Sequence, residues 1–151
     1  VGTVMYIVTP VPNYVYALDL AREGAILWEF RPELSEADIA LARSCCGAQT
    51  RGLAYADGKI FYNTLDGQVF ALNSETGEVV WQAKNGDMAL AETMSGMPLV
   101  IKDKVVFGVM GGEYGVRGHI TAYDLRTAGL NTGNNVPGRG REWAITANYT
   151  F

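Results

Sequence analysis

Histidine, cysteine and positively charged residues are all in short supply in this chain of 151 residues. There is one His, His119, and there are two Cys, so a zinc site built from the usual nitrogen and sulfur ligands has too few candidates. A catalytic triad that depends on histidine would have to use His119 alone. The 12 Lys and Arg are outnumbered by 16 Asp and Glu, which gives a net charge of −4 and no basic stripe for a nucleic-acid backbone. We therefore expect no nucleic acid among its partners.

Long apolar runs are missing as well, although apolar residues are plentiful. No run approaches the roughly 20 residues that a membrane-spanning helix needs, so no membrane span is expected. Hydrophobic residues make up 48% and charged residues 19% of the chain, a balance that suits a packed core better than a solvated disordered chain. The length fits one domain or a part of a larger one.

The sequence does contain a series of short β-branched and aromatic runs bounded by Gly, Asp, Asn or Pro, which is typical of strands joined by turns. Asp57-Gly58 and Asp66-Gly67 predict tight turns, because Gly accepts the positive φ that such turns demand, and 102–104 predicts a third turn. One helix is predicted over 33–43, with Ser35 as its N-cap. The predicted strands are 4–8, 15–18, 60–62, 68–72, 98–101, 104–107 and 119–123.

The chain also repeats itself at a spacing near 50 residues. Ala17, Ala71 and Ala122 occupy the same place in three similar segments and stand 54 and 51 residues apart. The first two copies continue to Trp28 and Trp81. A strand pair precedes each copy, so one repeat is about four strands, the size of a propeller blade. We expect each tryptophan to pack its face against the neighbouring blade and to find a partner for its N–H there.

Between Ala71 and Trp81 the residues predict a local turn, in which Asn73 and Thr76 bond backbone groups and Gly77 supplies the unusual φ. This pattern resembles the tryptophan-docking repeat of quinoprotein alcohol dehydrogenases, eight-bladed propellers that bind pyrroloquinoline quinone (PQQ) and a metal ion. The resemblance implies an all-β fold, with 1–127 as a partial β-propeller of about two and a half to three four-stranded blades. Non-enzymatic scaffold propellers of the outer-membrane assembly machinery carry similar repeats, so the repeat alone leaves that alternative open.

Two adjacent cysteines, Cys45 and Cys46, with Arg51 five residues later, separate these alternatives. Consecutive Cα atoms lie about 3.8 Å apart, whereas an ordinary disulfide prefers roughly 4.4–6.8 Å, so a bond between the two strains the backbone. Two small buried thiols are the other interpretation. The segment resembles the family sequence whose adjacent cysteines form a ring over the PQQ plane, which implies that Cys45, Cys46 and Arg51 contact PQQ. A strained disulfide persists better in the periplasm than in the cytosol, so a periplasmic location is expected.

A glycine-rich insertion in the third repeat is the second distinguishing segment. It holds Gly111, Gly112 and Glu113, where a backbone can come close to a ligand and a hard carboxylate is available. It resembles the family loop whose amides approach PQQ and whose Glu binds the metal ion, so the resemblance implies a Ca²⁺ or lanthanide ion on Glu113. Taken in isolation, the segment would be a glycine-rich hairpin with one solvated Glu.

The residues between these two segments supply a hydroxyl. By register from Glu113, Ser95 stands where the family offers a Thr hydroxyl to the quinone, and Thr93 is the alternative donor if the register is off by two. Met110 stands where a Ser is common in calcium-type members. The methionines expected to fill gaps in the packing are Met94, Met97 and Met110.

The resemblance implies that the full-length protein oxidises a small primary alcohol, methanol or ethanol, to the aldehyde with metal-bound PQQ and passes electrons to cytochrome c. In that mechanism Arg51 is a cation beside the quinone oxygens, and Glu113 is a metal ligand. A homodimer or a complex with a small subunit is expected for the full-length protein. The catalytic Asp and the other metal ligands of the family fall outside this chain, so no catalytic residue is assigned and the chain alone is expected to be inactive.

The last residues, 128–151, do not match the family. After Thr127 the repeat predicts Gly-x-x-x-Trp, but the sequence does not match it. Gly129 comes one position later than expected, after Ala128, and Thr132 occupies the position expected for Trp. We expect an atypical tail that arose from a shift in reading frame, with a genuine loop insertion as the alternative.

Overall fold

Three antiparallel sheets follow one another along the chain, and within each sheet consecutive strands are neighbours. The computed structural model describes residues 1–42, 44 and 47–129, together with the backbone of 143–145. The first sheet contains β1 (Val4–Val8), β2 (Val15–Asp19) and β3 (Ala25–Phe30). The second contains β4 (Ala54–Ala56), β5 (Lys59–Asn63), β6 (Gln68–Asn73) and β7 (Val79–Lys84). The third contains β8 (Leu99–Ile101), β9 (Lys104–Gly108), β10 (Ile120–Asp124) and β11 (Trp143–Ile145). The predicted all-β fold, with repeated sheets of up to four strands, is confirmed.

The predicted helix is present but shorter than expected. It forms α1 (Glu36–Leu41), and Ser35 caps it by accepting a hydrogen bond from the backbone N–H of Asp38 at 3.1 Å. Since no residue of α1 is fully buried, packing gives no reason for the helix to continue, and Ala42 already has extended backbone. Short 3₁₀ turns cover Leu20–Arg22, Met88–Leu90 and Gly112–Tyr114. None of the helices in the described part of the chain is long and apolar enough to cross a membrane.

The predicted turns join the strands as expected. Asp57 and Gly58 both have positive φ, 49° and 68°, and connect β4 to β5. Gly67 has a φ of 82° between β5 and β6, and Lys102 has a φ of 55° between β8 and β9. The first two turns reverse the chain between β4 and β5 and between β5 and β6. The loops that precede β4 and follow β5 therefore lie at the same end of the second sheet.

The second sheet is buried on both faces. One face packs on the first sheet through Ile60, Tyr62 and Phe70, and the other packs on the third sheet through Phe61 and Val69. Because neighbouring residues of a strand point to opposite faces, β5 and β6 are hydrophobic at every position except their first and last residues instead of alternating. A sheet enclosed in this way is what a propeller blade between two other blades requires.

Each of two tryptophans joins its sheet to the next one. Trp28 lies opposite Ala17 in the first sheet, and its Nε1 donates to the carbonyl of Ser74 in the second sheet at 3.0 Å. Trp81 lies opposite Ala71, and its Nε1 donates to the carbonyl of Leu125, just after β10 of the third sheet, at 3.4 Å. In both sheets the strand register shifts immediately after the alanine. The predicted docking role of these tryptophans is therefore confirmed.

The turn that receives Trp28 has the predicted internal bonding. The side chain of Asn73 accepts from the backbone N–H groups of Glu75 and Thr76, at 2.8 and 3.2 Å. Gly77 has a φ of 76°, and a Cβ added there would lie 2.6 Å from the Trp28 ring. The glycine thus serves two purposes, since it permits the turn and leaves room for the indole face.

The third repeat ends differently from the sequence-based expectation. The backbone of β11 pairs with β10 and brings Trp143 opposite Ala122, the position that tryptophan occupies in the two earlier repeats. Residues 130–142 and 146–151 lie outside the described residues. The boundary at 127 and the origin of the tail stay predictions.

Asn13 connects three segments that are distant in sequence. It is fully buried, and its Nδ2 donates to Thr50 Oγ1 at 2.6 Å while its Oδ1 accepts from the backbone N–H of Leu65 at 3.1 Å. A further backbone bond runs from Val11 N–H to the carbonyl of Ala48 at 3.1 Å. These contacts fix the loop that leads to Arg51 against the first sheet and against the turn between β5 and β6.

We expect Gly77→Ala to destabilise the protein by about 2–4 kcal/mol, because the added Cβ meets both a positive φ and the Trp28 ring. Gly58→Ala is the matched control, since Gly58 also has positive φ but nothing lies within 4 Å of its Cβ position. Urea unfolding followed by tryptophan fluorescence measures both variants. Equal losses for the two variants would show that the Trp28 contact contributes nothing.

We expect Asn13→Gly to cost about 1–3 kcal/mol, because the buried N–H of Leu65 and the hydroxyl of Thr50 lose their partners. Glycine tolerates the φ of 62° at this position, so backbone strain does not contribute to the loss. Thr50→Val removes one of the two contacts and should cost less. Thermal unfolding compares the variants, and an unchanged melting temperature for Asn13→Gly would contradict the connecting role.

Candidate functional site

Arg51 and Ser95 meet where the second and third sheets begin. Arg51 lies three residues before β4 and Ser95 four residues before β8, so they occupy corresponding places in neighbouring sheets. The backbone N–H of Arg51 donates to the carbonyl of Ser95 at 2.9 Å, and Arg51 Nη1 donates to Ser95 Oγ at 2.5 Å. The structure thus brings together two of the predicted site residues, which are 44 positions apart.

Met110 links this pair to the glycine-rich loop. Ser95 Oγ donates to Met110 Sδ at 3.0 Å, and the backbone N–H of Met110 donates to the carbonyl of Thr93 at 2.9 Å. Thr93 is fully buried and forms a β-bridge with Met110. Of the two hydroxyls predicted from register, Ser95 is the one whose oxygen bonds the Arg51 guanidinium.

The loop after Met110 has a compact, hydrogen-bonded shape. The carbonyl of Gly111 accepts from the N–H groups of Tyr114 and Val116, at 2.9 and 3.1 Å. Gly111 has a φ of 129°, and a Cβ there would lie 2.7 Å from the carbonyl oxygen of Ala91, so no other residue fits. A Cβ at Gly112 would have nothing within 4 Å, which leaves its backbone open to a ligand.

Glu113 lies in the 3₁₀ turn of this loop and is exposed. Among the described residues, no group of three or more His, Cys, Asp or Glu is arranged to hold a metal ion. A hard cation such as Ca²⁺ takes 6–8 oxygen ligands, of which one carboxylate supplies at most two. Glu113 therefore fits a metal site as one ligand whose companions come from elsewhere.

The residues present fit an anionic, oxygen-rich cofactor at this end of the sheets. A guanidinium has five N–H donors, and the Ser95 side chain takes one of those on Arg51, so the others can bond a carbonyl or carboxylate oxygen. The open backbone at Gly112 and the carboxylate of Glu113 lie along the same loop that Met110 fastens to Ser95. The described site thus has a cation, a closely approachable backbone and a metal-binding oxygen, but no evident catalytic base.

The predicted cofactor contacts Cys45 and Cys46 lie outside the described residues, and their interpretation stays a prediction. Their neighbours are fixed on both sides. Ser44 Oγ donates to the carbonyl of Gly47 at 2.9 Å, and the segment after Gly47 is held by Asn13, as described above.

The methionines were expected to fill gaps, and this is right for Met94, which is 1% exposed in the core between the second and third sheets. It is wrong for Met97, which is 59% exposed. For Met110 packing is not the whole role, because its sulfur accepts the hydrogen bond from Ser95. The three cases depend on contacts with residues distant in sequence, so the sequence pattern alone does not separate them.

Sequence reasoning missed two other polar features. The Tyr62 hydroxyl and Asn63 Nδ2 are buried without a hydrogen-bond partner in the described part of the chain, and burial raises the pKa of Tyr62 well above its usual range. A cavity of about 360 Å³ at the opposite end of the sheets is lined by residues of both charges, among them Asp57 and Arg126. Arg51, Ser95 and Glu113 are not among the residues that line this cavity.

Comparison with known proteins places these features in a family. Residues 1–132 match the family described as the β-propeller domain of glucose, ethanol and alcohol dehydrogenases that bind PQQ. The chain is 51% identical over 137 residues to a lanthanide-dependent methanol dehydrogenase of Methylacidiphilum fumariolicum, covering 90% of this chain and 21% of that protein. It is 47% identical over 131 residues to methanol dehydrogenase [cytochrome c] subunit 1 of Methylobacterium organophilum, covering 83% of this chain and 21% of that protein.

The fold agrees with the sequence match. A solved europium-containing methanol dehydrogenase superposes with a TM-score of 0.80 at 50% identity, covering 85% of this chain and 22% of that one. The chain spans about a fifth of the length of the curated relatives that it matches. It belongs to the PQQ-binding β-propeller family of the quinoprotein alcohol dehydrogenases.

Proposed function

We propose that this chain is the part of a PQQ-dependent alcohol dehydrogenase that supplies one side of the cofactor site. The full-length protein oxidises a small primary alcohol, methanol or ethanol, to the aldehyde and passes the electrons to a cytochrome c. The contact between Arg51 and Ser95 carries the proposal, because it fixes a cation with remaining N–H donors beside the loop of Glu113. The names of the two relatives, a lanthanide-dependent and a cytochrome c-linked methanol dehydrogenase, support the choice of substrate and acceptor.

The residues of this chain bind and orient, and they do not carry out the proton transfer. When bound, PQQ supplies the electron acceptor for the alcohol, and a metal ion polarises it. Arg51 would donate N–H groups to the oxygens of PQQ, and the loop of Gly111 and Gly112 would let the cofactor come close to the backbone. Glu113 would supply one ligand to the metal ion, Ca²⁺ or a lanthanide, and the names of a lanthanide-dependent and a europium-containing relative favour the lanthanide.

Cys45 and Cys46 would form a disulfide in contact with PQQ, and such a bond would require an oxidising compartment such as the periplasm. The sequence supports this proposal through the spacing of Cys45 and Cys46 from Arg51. The full-length protein acts as a homodimer or with a small subunit. This chain alone is inactive, because the base that takes the alcohol proton and the remaining metal ligands come from other blades.

The full-length protein without cofactor should take up PQQ in the presence of La³⁺ or Ca²⁺ and then oxidise methanol or ethanol in a dye-linked assay. Arg51→Ala should weaken PQQ binding about 10–100-fold, because a hydrogen bond to a charged group contributes roughly 1.5–3 kcal/mol. Arg126→Ala is the control, since its side chain is 82% exposed at the other end of the sheets. No PQQ uptake by the unaltered protein, or normal uptake by Arg51→Ala, would refute the proposal.

Glu113→Gln keeps the size of the side chain but removes its charge, so the full-length protein should need at least about tenfold more metal ion for half-maximal alcohol oxidation. Titrations with Ca²⁺ and La³⁺ measure this requirement and show which ion the protein prefers. Glu75→Gln, in the exposed turn between β6 and β7, is the matched control. An unchanged metal requirement in Glu113→Gln would remove Glu113 from the metal site.

A further inference from the structure

The Ser95 hydroxyl lies between two partners of different chemistry. On one side Arg51 Nη1 is 2.5 Å away, and on the other Met110 Sδ is 3.0 Å away. Ser95 itself is 2% exposed, so its hydroxyl has little access to water. The direction of its single proton is therefore decided by these two neighbours.

Arg51 can only donate, because a guanidinium has no acceptor. The Ser95 oxygen must accept from Arg51, and its proton then points to the thioether of Met110, which can only accept. This assignment uses the one O–H donor of the hydroxyl and leaves a lone pair. In this arrangement Ser95 has no proton to offer to a quinone oxygen.

The side-chain contacts are separate from the backbone contacts at the same residues. Arg51 is also held through its N–H on the Ser95 carbonyl, and Met110 through its N–H on the Thr93 carbonyl. Neither backbone bond uses a side-chain atom of Ser95 or Met110. Substitutions at these positions can therefore probe the orientation of the guanidinium without detaching the segments.

We infer that Ser95 is a positioning residue, which orients the Arg51 guanidinium toward the ligand and is itself oriented by Met110. Arg51, and not Ser95, is then the donor to the ligand oxygens. The inference rests on the proposed function, in which the ligand is PQQ, and it corrects the role that the sequence assigned to Ser95. It also gives Met110 a function that a serine at that position would not have. A thioether has no proton to donate, so Ser95 must donate to Met110 and accept from Arg51, whereas a serine hydroxyl could also donate to Ser95.

A double-mutant cycle on PQQ affinity tests the inference in the full-length protein loaded with La³⁺. Ser95→Ala should weaken PQQ binding about tenfold, and in the Arg51→Ala background the same change should alter it by less than about twofold, because Ser95 then has no guanidinium to orient. Ser95→Thr keeps the hydroxyl and should bind within about threefold of the unaltered protein. Losses that add in the double variant would show direct donation by Ser95 and overturn the inference.

Met110→Leu, which conserves volume, tests the hydrogen bond from Ser95 to Met110. It should weaken PQQ binding about threefold in the presence of Ser95 and have no further effect in Ser95→Ala. An equal effect in both backgrounds would show that Met110 acts through packing and would overturn its assigned role. Melting temperatures of the cofactor-free variants verify that each one is folded.

A measurement without PQQ separates this inference from the proposed function. In the cofactor-free protein, the rate at which phenylglyoxal modifies Arg51, read by mass spectrometry, should rise severalfold in Ser95→Ala, while the rate at Arg126 stays constant. An unchanged rate at Arg51 would refute the positioning role even if PQQ binds normally. A raised rate in a protein that takes up no PQQ would refute the proposed ligand and leave the positioning role intact.

Discussion

The docking of Trp81 on the third sheet is the contact on which the candidate site depends. Its indole N–H bonds the carbonyl of Leu125, and its ring stacks on Tyr123 with centroids 5.7 Å apart. Arg51 precedes the second sheet and Ser95 precedes the third, so the distance between them follows from how these sheets pack. A shift of one sheet by the length of a hydrogen bond would separate the guanidinium from the hydroxyl.

The same contact recurs one repeat earlier, which explains how a local sequence pattern produces a site between distant residues. Trp28 and Trp81 each lie opposite a fully buried alanine, and the small side chain leaves space for the indole to lean toward the next sheet. Because every sheet is placed on its neighbour by equivalent bonds, the loops at one end of successive sheets come together. Arg51 and Ser95 are equivalent positions of two such loops.

How well the sequence predicted the structure depends on the range of the interactions involved. The turns at Asp57-Gly58 and Gly67 and the cap at Ser35 were predicted well, because φ preferences and capping act within a few residues. The bond between Asn13 and Thr50 spans 37 positions and leaves no local pattern. The predicted helix was longer than α1 at both ends. A longer helix would have needed tertiary packing, and no residue of α1 is buried. The site residues were found by resemblance to a family, and their mutual contacts only by the fold.

The chemistry of this chain follows from which groups its loops at one end of the sheets can offer. The inter-sheet loop before β4 provides a cation, and the loop between β9 and β10 provides open backbone at Gly112 and one carboxylate, whereas a hard metal ion needs several oxygens and an alcohol oxidation needs a base. Because each sheet has only a few loops at this end, one blade can bring only a few such groups to the site. A ring of blades removes this limit, because each blade adds a loop at the same end. The proposed enzyme therefore needs its site to be shared among blades, and this segment contributes the part that holds and orients the cofactor.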